Sequence, residues 1–460
     1  MTDGDIGRVN DPYFDDQVLA IGYFIVNTKR GGRIAPRVGE GCAGLRLVSR
    51  PEPAKRVGPV HTLRSPQLLQ GQLDARAPVL KPAPQGPLHN TPEPKAAHMN
   101  KPTQSLHQLG QSLWLDNITR TLLQSGSLAH YISDLSVTGL TSNPTIFEHA
   151  IGAGDSYDAS IRVLSEAGLS GEELFFELAI EDLSEAADLF RPEFEASHGV
   201  DGWVSLEVSP LLAHNATHTI QAANRLHAKA AKANLFIKIP GTPEGIEAIE
   251  EVIFDGVPVN VTLLFSCEHV MAAAEAYMRG LERRLVAGLD LKVASVLSLF
   301  VSRWDVVVKQ EVASPFHNRL GIAIAMRTYK AHCELLASER WQRLAAAGAQ
   351  AQRLLWASTG TKDPAAPDTL YVQSLAAPGT INTLPEKTLL AFADHGQVGT
   401  MLPVDGGYAE AVIEEFHREN VDDNALAARL QREGVEAFAT SWHALLSRIS
   451  DKCPAPPERT

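Results

Sequence analysis

The stretch that decides the fold is residues 235–265, which read LFIKIPGTPEGIEAIEEVIFDGVPVNVTLLF. Its two apolar runs, Leu235 to Ile239 and Val257 to Phe265, are short and rich in β-branched and aromatic residues, as is typical of buried strands. Between them, Thr242 forms an N-cap and Pro243 occupies the first position of a helix. The stretch therefore predicts a strand, a helix and a second strand, which is one unit of a parallel sheet.

The same alternation continues on both sides of this unit. Eight apolar runs alternate with longer helical patterns, and they cover Ser112 to Asp116, Val137 to Asn143, Trp203 to Val208, Leu235 to Ile239, Val257 to Phe265, Val293 to Phe300, Arg353 to Ser358, and Thr380 to Leu384. Eight strand–helix units predict an α/β fold, a (β/α)8 TIM barrel with helical insertions. A doubly wound parallel sheet is the alternative that this alternation also allows.

Composition limits the classes of protein to which the chain can belong. The 460 residues are 44% hydrophobic and 21% charged, which favours a globular protein. A formal net charge of −13 argues against nucleic acid or an anionic membrane as a partner. No apolar run approaches the roughly 20 residues that span a bilayer, so we expect neither a membrane anchor nor a signal peptide. The four cysteines are far apart, without a CxxC pair, which favours a reducing, cytoplasmic location.

Residues 1–98 differ in composition from the rest of the chain. They hold 12 of the 28 prolines and carry a net charge of +4, whereas the remainder carries −17. We expect a disordered, proline-rich extension, and another explanation is that Met99 is the natural start. The segment 39–44 fits GxGxxG, but without a strand before it and a helix after it we expect no dinucleotide site. The barrel is expected over residues 99–450 and a disordered tail over 451–460.

Polar residues stand at the ends of the apolar runs, where barrels of this kind place their reactive groups. The candidates are Asp116, Asn143, Glu207, Lys238, Asn260, Thr262, Ser298, Arg303, Ser358 and Lys362. Lys238 is the most informative because it lies inside an apolar strand. Burial removes water from an ammonium group and favours the neutral amine, which can attack a carbonyl carbon. The alternatives are a lysine that points outward along the surface and one that is paired with a carboxylate.

The motifs around these residues resemble those of the transaldolase family. They are Leu113 to Asp116, Thr141 to Pro144, Leu206 to Val208, Ile237 to Thr242, Val259 to Ser266, Ser298 to Arg303, Trp356 to Lys362, and Asn382 to Pro385. The resemblance begins near Met99 and leaves the preceding residues unmatched. It implies the barrel fold and the transfer of a dihydroxyacetone unit between sugar phosphates without a cofactor.

The resemblance also implies catalytic roles. Lys238 would form a Schiff base with C2 of fructose 6-phosphate or sedoheptulose 7-phosphate. Asp116 would take the proton of the C4 hydroxyl during cleavage of the C3–C4 bond. Glu207, through a bound water, and Thr262 would move protons while the imine forms.

The resemblance also implies substrate binding by Asn143, Asn260, Ser298, Arg303, Ser358 and Lys362. The two amides would hold hydroxyls of the three-carbon unit, because an amide both donates and accepts without changing charge. Arg303, Ser358 and Lys362 are the candidates for the phosphate. Here the chain departs from the short-chain transaldolases, in which an arginine closely follows the serine, and resembles the longer subgroup. The assignment of Lys362 depends on that subgroup.

Each assignment has a structural alternative, and the function has rivals. Asp116 could cap a turn, Asn143 could form the turn before Pro144, and Glu207 could serve only as the counter-ion of Lys238. The rival functions are an aldolase of the same superfamily, which releases dihydroxyacetone to water, and a non-catalytic barrel that binds sugar phosphates. The histidines lack the spacing of a metal site, so no metal is expected. The oligomeric state stays open, and a homo-oligomer is compatible with the sequence.

The break in composition at Met99 can be tested by truncation. A shortened chain of residues 99–460 should match the full chain in melting temperature and turnover, because it keeps every predicted strand and candidate residue. Deletion past Ser112 removes the first strand and should open the barrel. Thermal melts and steady-state rates compare the proteins. A clear drop in either quantity for the 99–460 chain would show that residues 1–98 pack on the barrel or cover its mouth.

Overall fold

The computed structural model describes residues 101–453 of the chain. The extension predicted over 1–98 and its GxGxxG segment therefore lie outside the described residues. The last helix ends at Lys452, so residues 451 and 452, which we assigned to the disordered tail, are helical. No helix within the described range is long and apolar enough to cross a membrane.

All eight predicted strands are present, each within two residues of its predicted bounds. In the described part of the chain they are β1 (Ser112–Asp116), β2 (Val137–Thr141), β3 (Val204–Glu207), β4 (Leu235–Pro240), β5 (Val259–Leu264), β6 (Ser295–Phe300), β7 (Arg353–Ala357) and β8 (Ile381–Leu384). Buried parallel strands are apolar on both faces, which is why each appears in the sequence as a short continuous run.

The strands form one parallel sheet in the order β2-β1-β8-β7-β6-β5-β4-β3. The two strands at the ends of this order, β2 and β3, meet through a bridge between Gly139 and Trp203, where Leu140 N donates to the Trp203 carbonyl at 2.9 Å. The sheet thus closes on itself in the order of the sequence, as in a (β/α)8 barrel. The doubly wound alternative, which leaves two open edges, is wrong.

Helices follow the strands and surround the barrel. Between residues 101 and 453 they are α1 (Pro102–Gln108), α2 (Arg120–Gln124), α3 (Ser127–Leu135), α4 (Pro144–Gly152), α5 (Asp158–Glu166), α6 (Gly171–Ala196), α7 (Ala216–Ala230), α8 (Pro243–Asp255), α9 (Cys267–Val286), α10 (Ser302–Val308), α11 (Leu320–Ala337), α12 (Glu339–Ala346), α13 (Leu370–Ser374), α14 (Glu386–His395), α15 (Ala409–Arg418) and α16 (Asp423–Lys452), with 3-10 turns at Pro210–Leu212 and Ser314–Phe316. The predicted start of α8 is confirmed, because Thr242 Oγ1 accepts a hydrogen bond from Gly245 N at 3.1 Å.

Aromatic side chains fill the amino-terminal half of the barrel interior. Trp203 and Phe236 stack with ring centroids 4.1 Å apart, and the Trp114 ring lies 6.2 Å from that of Phe236. The indole N–H of Trp114 donates to Asp201 Oδ1 at 2.7 Å, which satisfies a buried donor. This packed layer forms a floor beneath the polar residues at the carboxyl ends of the strands.

The last helix, α16, packs across the carboxyl-terminal side of the barrel. Its Val435 and Phe438 belong to the same apolar cluster as Phe265 and Phe300, which lie at the ends of β5 and β6. Farther along the helix, Trp442 Nε1 donates to a carboxylate oxygen of α6 at 2.8 Å. The helix is therefore attached to the barrel by both apolar packing and a polar contact.

Gly139 of β2 has no room for a side chain, which gives a test of the packing of the floor. A Cβ atom there would lie 2.7 Å from the Trp114 ring and from the carbonyl oxygen of Trp203. We expect Gly139→Ala to lower the free energy of unfolding by about 1–3 kcal/mol, because the rings must move. Gly154→Ala is the control, since nothing lies within 4 Å of its Cβ position. Equal urea midpoints for the two variants would contradict the packing described here.

Candidate active site

Three polar side chains stand side by side on adjacent strands. Glu207 of β3 pairs in register with Lys238 of β4, which pairs with Asn260 of β5. Their strand neighbours Leu206 and Ile237 pack with the helices in the outer core, so alternation turns the three polar side chains into the barrel. Only 4%, 5% and 0% of the three residues is exposed. Three candidates that are far apart in the sequence thus meet at one place.

Lys238 points into the barrel. Its Nζ donates to the carbonyl oxygen of Ser142 at 3.0 Å and lies 3.0 Å from Glu207 Oε2. The ring centroid of Phe438, from α16, is 5.7 Å from Nζ. The alternative in which Lys238 points outward along the surface is therefore wrong. The other alternative, a pair with a carboxylate, is confirmed, and the carboxylate is that of Glu207. A carboxylate, a carbonyl and an aromatic ring together shield the amine from bulk water.

Glu207 has few hydrogen-bond donors around it. Apart from the ion pair with Lys238, neither carboxylate oxygen accepts a hydrogen bond from a described residue. Burial raises the pKa of Glu207; Lys238 opposes the shift and the charge of Asp116 adds to it, and the pKa stays above its ordinary value. The carboxyl can therefore hold a proton at a pH at which an exposed carboxyl would have lost it.

Thr262 is a second buried polar residue whose side chain has no hydrogen-bond partner in the described part of the chain. The residue is fully buried, and among residues 101–453 nothing forms a hydrogen bond with its Oγ1. Alternation along β5 places it on the same side of the strand as Asn260. Buried polar groups are nearly always hydrogen-bonded. The Thr262 hydroxyl and the Glu207 carboxyl are therefore two groups able to bind a water or a substrate oxygen.

Two serines hold Asn260. Its Nδ2 donates to Ser205 Oγ at 3.1 Å, and its Oδ1 accepts from Ser298 Oγ at 2.7 Å. These serines belong to β3 and β6, so the amide links three strands. Ser298, which we assigned to substrate binding, uses its hydroxyl here to orient Asn260.

Asp116 is the last residue of β1 and is half-buried. Its Oδ1 accepts a hydrogen bond from Thr141 Oγ1 at 2.7 Å, and that hydroxyl is 2.7 Å from Thr383 Oγ1. The hydroxyl from β2 thus binds the carboxylate and is itself in contact with the hydroxyl from β8. Because Asp116 is half-buried whereas Glu207 is buried, the two carboxyl groups occupy different environments, which suits two different acid–base roles.

Asn143 is the N-cap of α4. Its Oδ1 accepts a hydrogen bond from Ile146 N at 3.0 Å, and Pro144 occupies the first position of the helix. The side-chain oxygen of Asn143 therefore has a structural role, because it caps the helix. The Nδ2 group is the part of the side chain that can donate to a substrate hydroxyl.

The candidate phosphate residues follow two neighbouring strands, β6 and β7. Arg303 lies in the first turn of α10, after β6, and Ser358 directly follows β7 with a left-handed φ of 53°. The hydroxyls of Ser302 and Ser358 are 2.9 Å apart, which joins the segments that follow the two strands. Lys362, farther along the segment after β7, is half-buried. Loops after the late strands of a barrel are a common place for a phosphate.

Sequence reasoning missed several residues that support the site. Ser205 had a signal, because it stands two positions before Glu207 and therefore on the same face of the strand. Thr383 is a polar residue inside an apolar run, which is the same kind of signal. Phe438 had none, because an apolar residue in an amphipathic helix far along the chain is expected in any core.

The arrangement can perform chemistry on a carbonyl compound. An enclosed amine beside a carboxyl of raised pKa can lose its proton and attack a carbonyl carbon. A half-buried carboxylate can take a proton from a hydroxyl, and the amides can hold further hydroxyls. Within residues 101–453 no group of three or more His, Cys, Asp or Glu side chains could hold a metal ion.

Comparison with known proteins agrees with this chemistry. The family model described as Transaldolase/Fructose-6-phosphate aldolase matches residues 113–449, from β1 into α16. A protein named Transaldolase from Parafrankia sp. (strain EAN1pec) is 44% identical over 363 residues, which cover 77% of this chain and 98% of the relative. One of the same name from Thiobacillus denitrificans is 44% identical over 355 residues, 75% of this chain and 99% of the relative. Transaldolase 2 of Nostoc punctiforme is 40% identical over 367 residues, 75% and 96% of the two chains. The chain belongs to the transaldolase/fructose-6-phosphate aldolase family.

Proposed function

We propose that this protein is a transaldolase of the non-oxidative pentose phosphate pathway. It transfers a dihydroxyacetone unit from sedoheptulose 7-phosphate to glyceraldehyde 3-phosphate, giving erythrose 4-phosphate and fructose 6-phosphate. The observation that carries the proposal is the position of Lys238 Nζ inside the barrel, 3.0 Å from Glu207 Oε2. Membership of the family and the names of the relatives support the same reaction.

The Lys238–Glu207 pair supplies the nucleophile. The ammonium group gives a proton to the Glu207 carboxylate, whose raised pKa favours this transfer, and the neutral amine attacks C2 of the ketose. The new C–N bond leaves a carbinolamine with a hydroxyl on C2. Glu207 then gives its proton to that hydroxyl, which departs as water and leaves a protonated imine. Thr262 Oγ1 holds the water involved in this step.

Asp116 acts in the cleavage of the carbon chain. It takes the proton of the C4 hydroxyl, the C3–C4 bond breaks, and the electron pair of that bond moves into the protonated imine to form an enamine. Erythrose 4-phosphate leaves. The enamine carbon attacks glyceraldehyde 3-phosphate, Asp116 returns its proton to the new hydroxyl, and hydrolysis of the imine releases fructose 6-phosphate. The half-buried position of Asp116 and its hydrogen bond from Thr141 Oγ1 support this role, because a base must be oriented toward the proton that it takes.

Amides and cations bind the rest of the substrate. Asn143 Nδ2 and the Asn260 amide hold hydroxyls of the three-carbon unit. Arg303, Ser358 and Lys362 hold the phosphate of the donor and acceptor sugars. The hydroxyl contact between the segments after β6 and β7 supports this, since it brings the two cationic segments to one side of the mouth.

An aldolase of the same family is the second candidate, because the matching family model covers both activities. It would use the same imine and release dihydroxyacetone to water. The relatives' names favour the transferase. A barrel that only binds sugar phosphates has no use for an enclosed amine beside a carboxyl.

The cysteines support a cytoplasmic location. Cys267, Cys333 and Cys453 are free thiols, and Cys42 lies outside the described residues. Thiols stay reduced in the cytoplasm, whereas secreted proteins use cysteine pairs as disulfides.

Borohydride reduction tests the nucleophile. With fructose 6-phosphate present, we expect a three-carbon adduct on the peptide that contains Lys238, detected by peptide mass mapping. Lys238→Arg should lower turnover about 10³-fold or more, because a guanidinium stays protonated and cannot attack. The exposed Lys292→Arg is the control and should keep full turnover. An adduct on any other lysine would overturn the assignment, and turnover with and without acceptor separates the transferase from the aldolase.

Two variants test whether Glu207 is ionised beside Lys238. Lys238→Met removes the counter-ion, and we expect a loss of about 3 kcal/mol in the free energy of unfolding near neutral pH. Burial raises the pKa of Glu207 above the ordinary 4.5, so the folded protein holds this proton more tightly than the unfolded chain. The loss should therefore be small below pH 4.5 and grow as the pH rises through the folded-state pKa.

The double variant Lys238→Met/Glu207→Gln is the control for this experiment. It carries no buried charge and should regain most of the lost stability at neutral pH. Urea unfolding of the three proteins in acid and at neutral pH makes the comparison. A loss that does not change with pH, or a double variant as unstable as the single one, would contradict the ionised pair.

A further inference from the structure

Gln431 of α16 reaches the backbone at the ends of two catalytic strands. Its Nε2 donates to the carbonyl oxygen of Gly241 at 2.9 Å and to that of Leu263 at 3.0 Å. Gly241 directly follows β4, which carries Lys238. Leu263 directly follows Thr262 in β5. A single side chain therefore connects the two strands that hold the amine and the unpaired hydroxyl.

The backbone of β5 is irregular at this point. Leu263 has φ +55°, in the left-handed region that a residue with a branched side chain avoids. The register between β5 and β6 shifts between Val261 and Leu264, and Gly241 N donates to the Thr262 carbonyl at 2.8 Å. This bulge interrupts the regular ladder, and the Gln431 amide supplies a donor for the Leu263 carbonyl. Bulges of this kind redirect side chains next to active sites.

The side chain that precedes the bulge is the one whose hydroxyl is unpaired. Thr262 is fully buried, and within the described chain its Oγ1 has no hydrogen-bond partner. No hydrogen bond from a described residue fixes the hydroxyl, so its direction follows from the backbone and from the packing around the side chain. A shift of the bulge would therefore move Oγ1 relative to Lys238.

We propose that Gln431 is a positioning residue of the active site, which holds the ends of β4 and β5 so that the Thr262 hydroxyl faces the atoms that form the imine at Lys238. This inference rests on the proposed function. Glutamine suits the role because its amide nitrogen carries two hydrogens, one for each carbonyl. Glutamate has the same shape but no donor when ionised, and methionine has the same length but no donor at all.

Other contacts attach α16 to the barrel without Gln431. Near its start, Asp423 Oδ2 accepts from Arg327 Nη1 at 2.7 Å, and Asp423 Oδ1 lies 2.7 Å from His417 Nε2. Near its end, Trp442 Nε1 donates to Glu172 Oε1 at 2.8 Å. Replacement of Gln431 should therefore leave the helix in place and release only the bulge.

The test uses the full chain with Gln431→Met and Gln431→Glu. Arg432→Met is the matched control, because the neighbouring Arg432 is exposed and the new residue is the same. With fructose 6-phosphate in a single turnover, quenching with borohydride at successive times measures how fast the Lys238 adduct forms. We expect both Gln431 variants to form it about 10- to 100-fold more slowly, because a small misplacement of a catalytic group slows chemistry by this order. The fructose 6-phosphate concentration that gives half of the maximal rate should change by less than about 2-fold. Arg432→Met should match the unchanged protein in both quantities.

A double variant shows whether the effect passes through the hydroxyl. In a Thr262→Ala background, Gln431→Met should slow adduct formation by less than about 2-fold, because the group that it positions is gone. If the two substitutions together slow adduct formation by the product of their separate factors, the inference is overturned. It is also overturned if the Gln431 variants form the adduct at the normal rate. Failure of both Gln431 variants to fold, judged by circular dichroism, would also overturn it, since the other contacts should hold the helix. Absence of an adduct in the unchanged protein would instead refute the proposed function.

Discussion

The ion pair between Lys238 and Glu207 is the interaction on which the rest of the site depends. Either charge alone would be costly to bury, by several kcal/mol even after the protein relaxes, so each group needs the other. The register of β3 with β4 sets the two residues opposite one another, and the Nζ–Oε2 distance is 3.0 Å. The barrel is thus a frame that keeps an acid and a base in contact while it excludes most water from them.

Aromatic side chains enclose the Lys238–Glu207 pair on both sides along the barrel axis and keep water from it. The stacked rings of Trp203 and Phe236 close the barrel on the amino-terminal side. On the other side, the Phe438 ring lies over the amine. Between these layers, serine and threonine hydroxyls from neighbouring strands hold Asn260 and Asp116, so the polar groups are oriented by short side chains with little freedom to move.

Most of the fold could be predicted from the sequence, because buried parallel strands and helix caps are local patterns. The runs around Lys238 and Asn260 are buried strands, as their β-branched and apolar composition predicts. Thr242 caps the helix between them. Lys238 itself was predictable, because a charged residue inside an apolar run conflicts with its surroundings unless it has a use. The resemblance to a family then supplied roles that the pattern alone left open.

The rest depends on contacts between distant parts of the chain, which no local pattern encodes. The hydroxyl of Thr141 meets Asp116 only because β1 and β2 are neighbours in the closed sheet. The left-handed backbone at Leu263 occurs at a residue type that gives no warning of it. Asn143 uses its side-chain oxygen to cap a helix, and this structural role does not by itself exclude a functional role for its Nδ2 group.

The position of α16 at the end of the chain has a consequence for the protein during its synthesis. The ribosome completes β8 at Leu384 before it adds the residues that cover the amine, and amino-terminal parts of a chain begin to fold first. Until Phe438 has emerged, its ring cannot cover Lys238 Nζ, which lies 5.7 Å from the ring centroid in the complete fold. The part of the structure that covers the buried lysine is therefore made after all eight strands of the barrel.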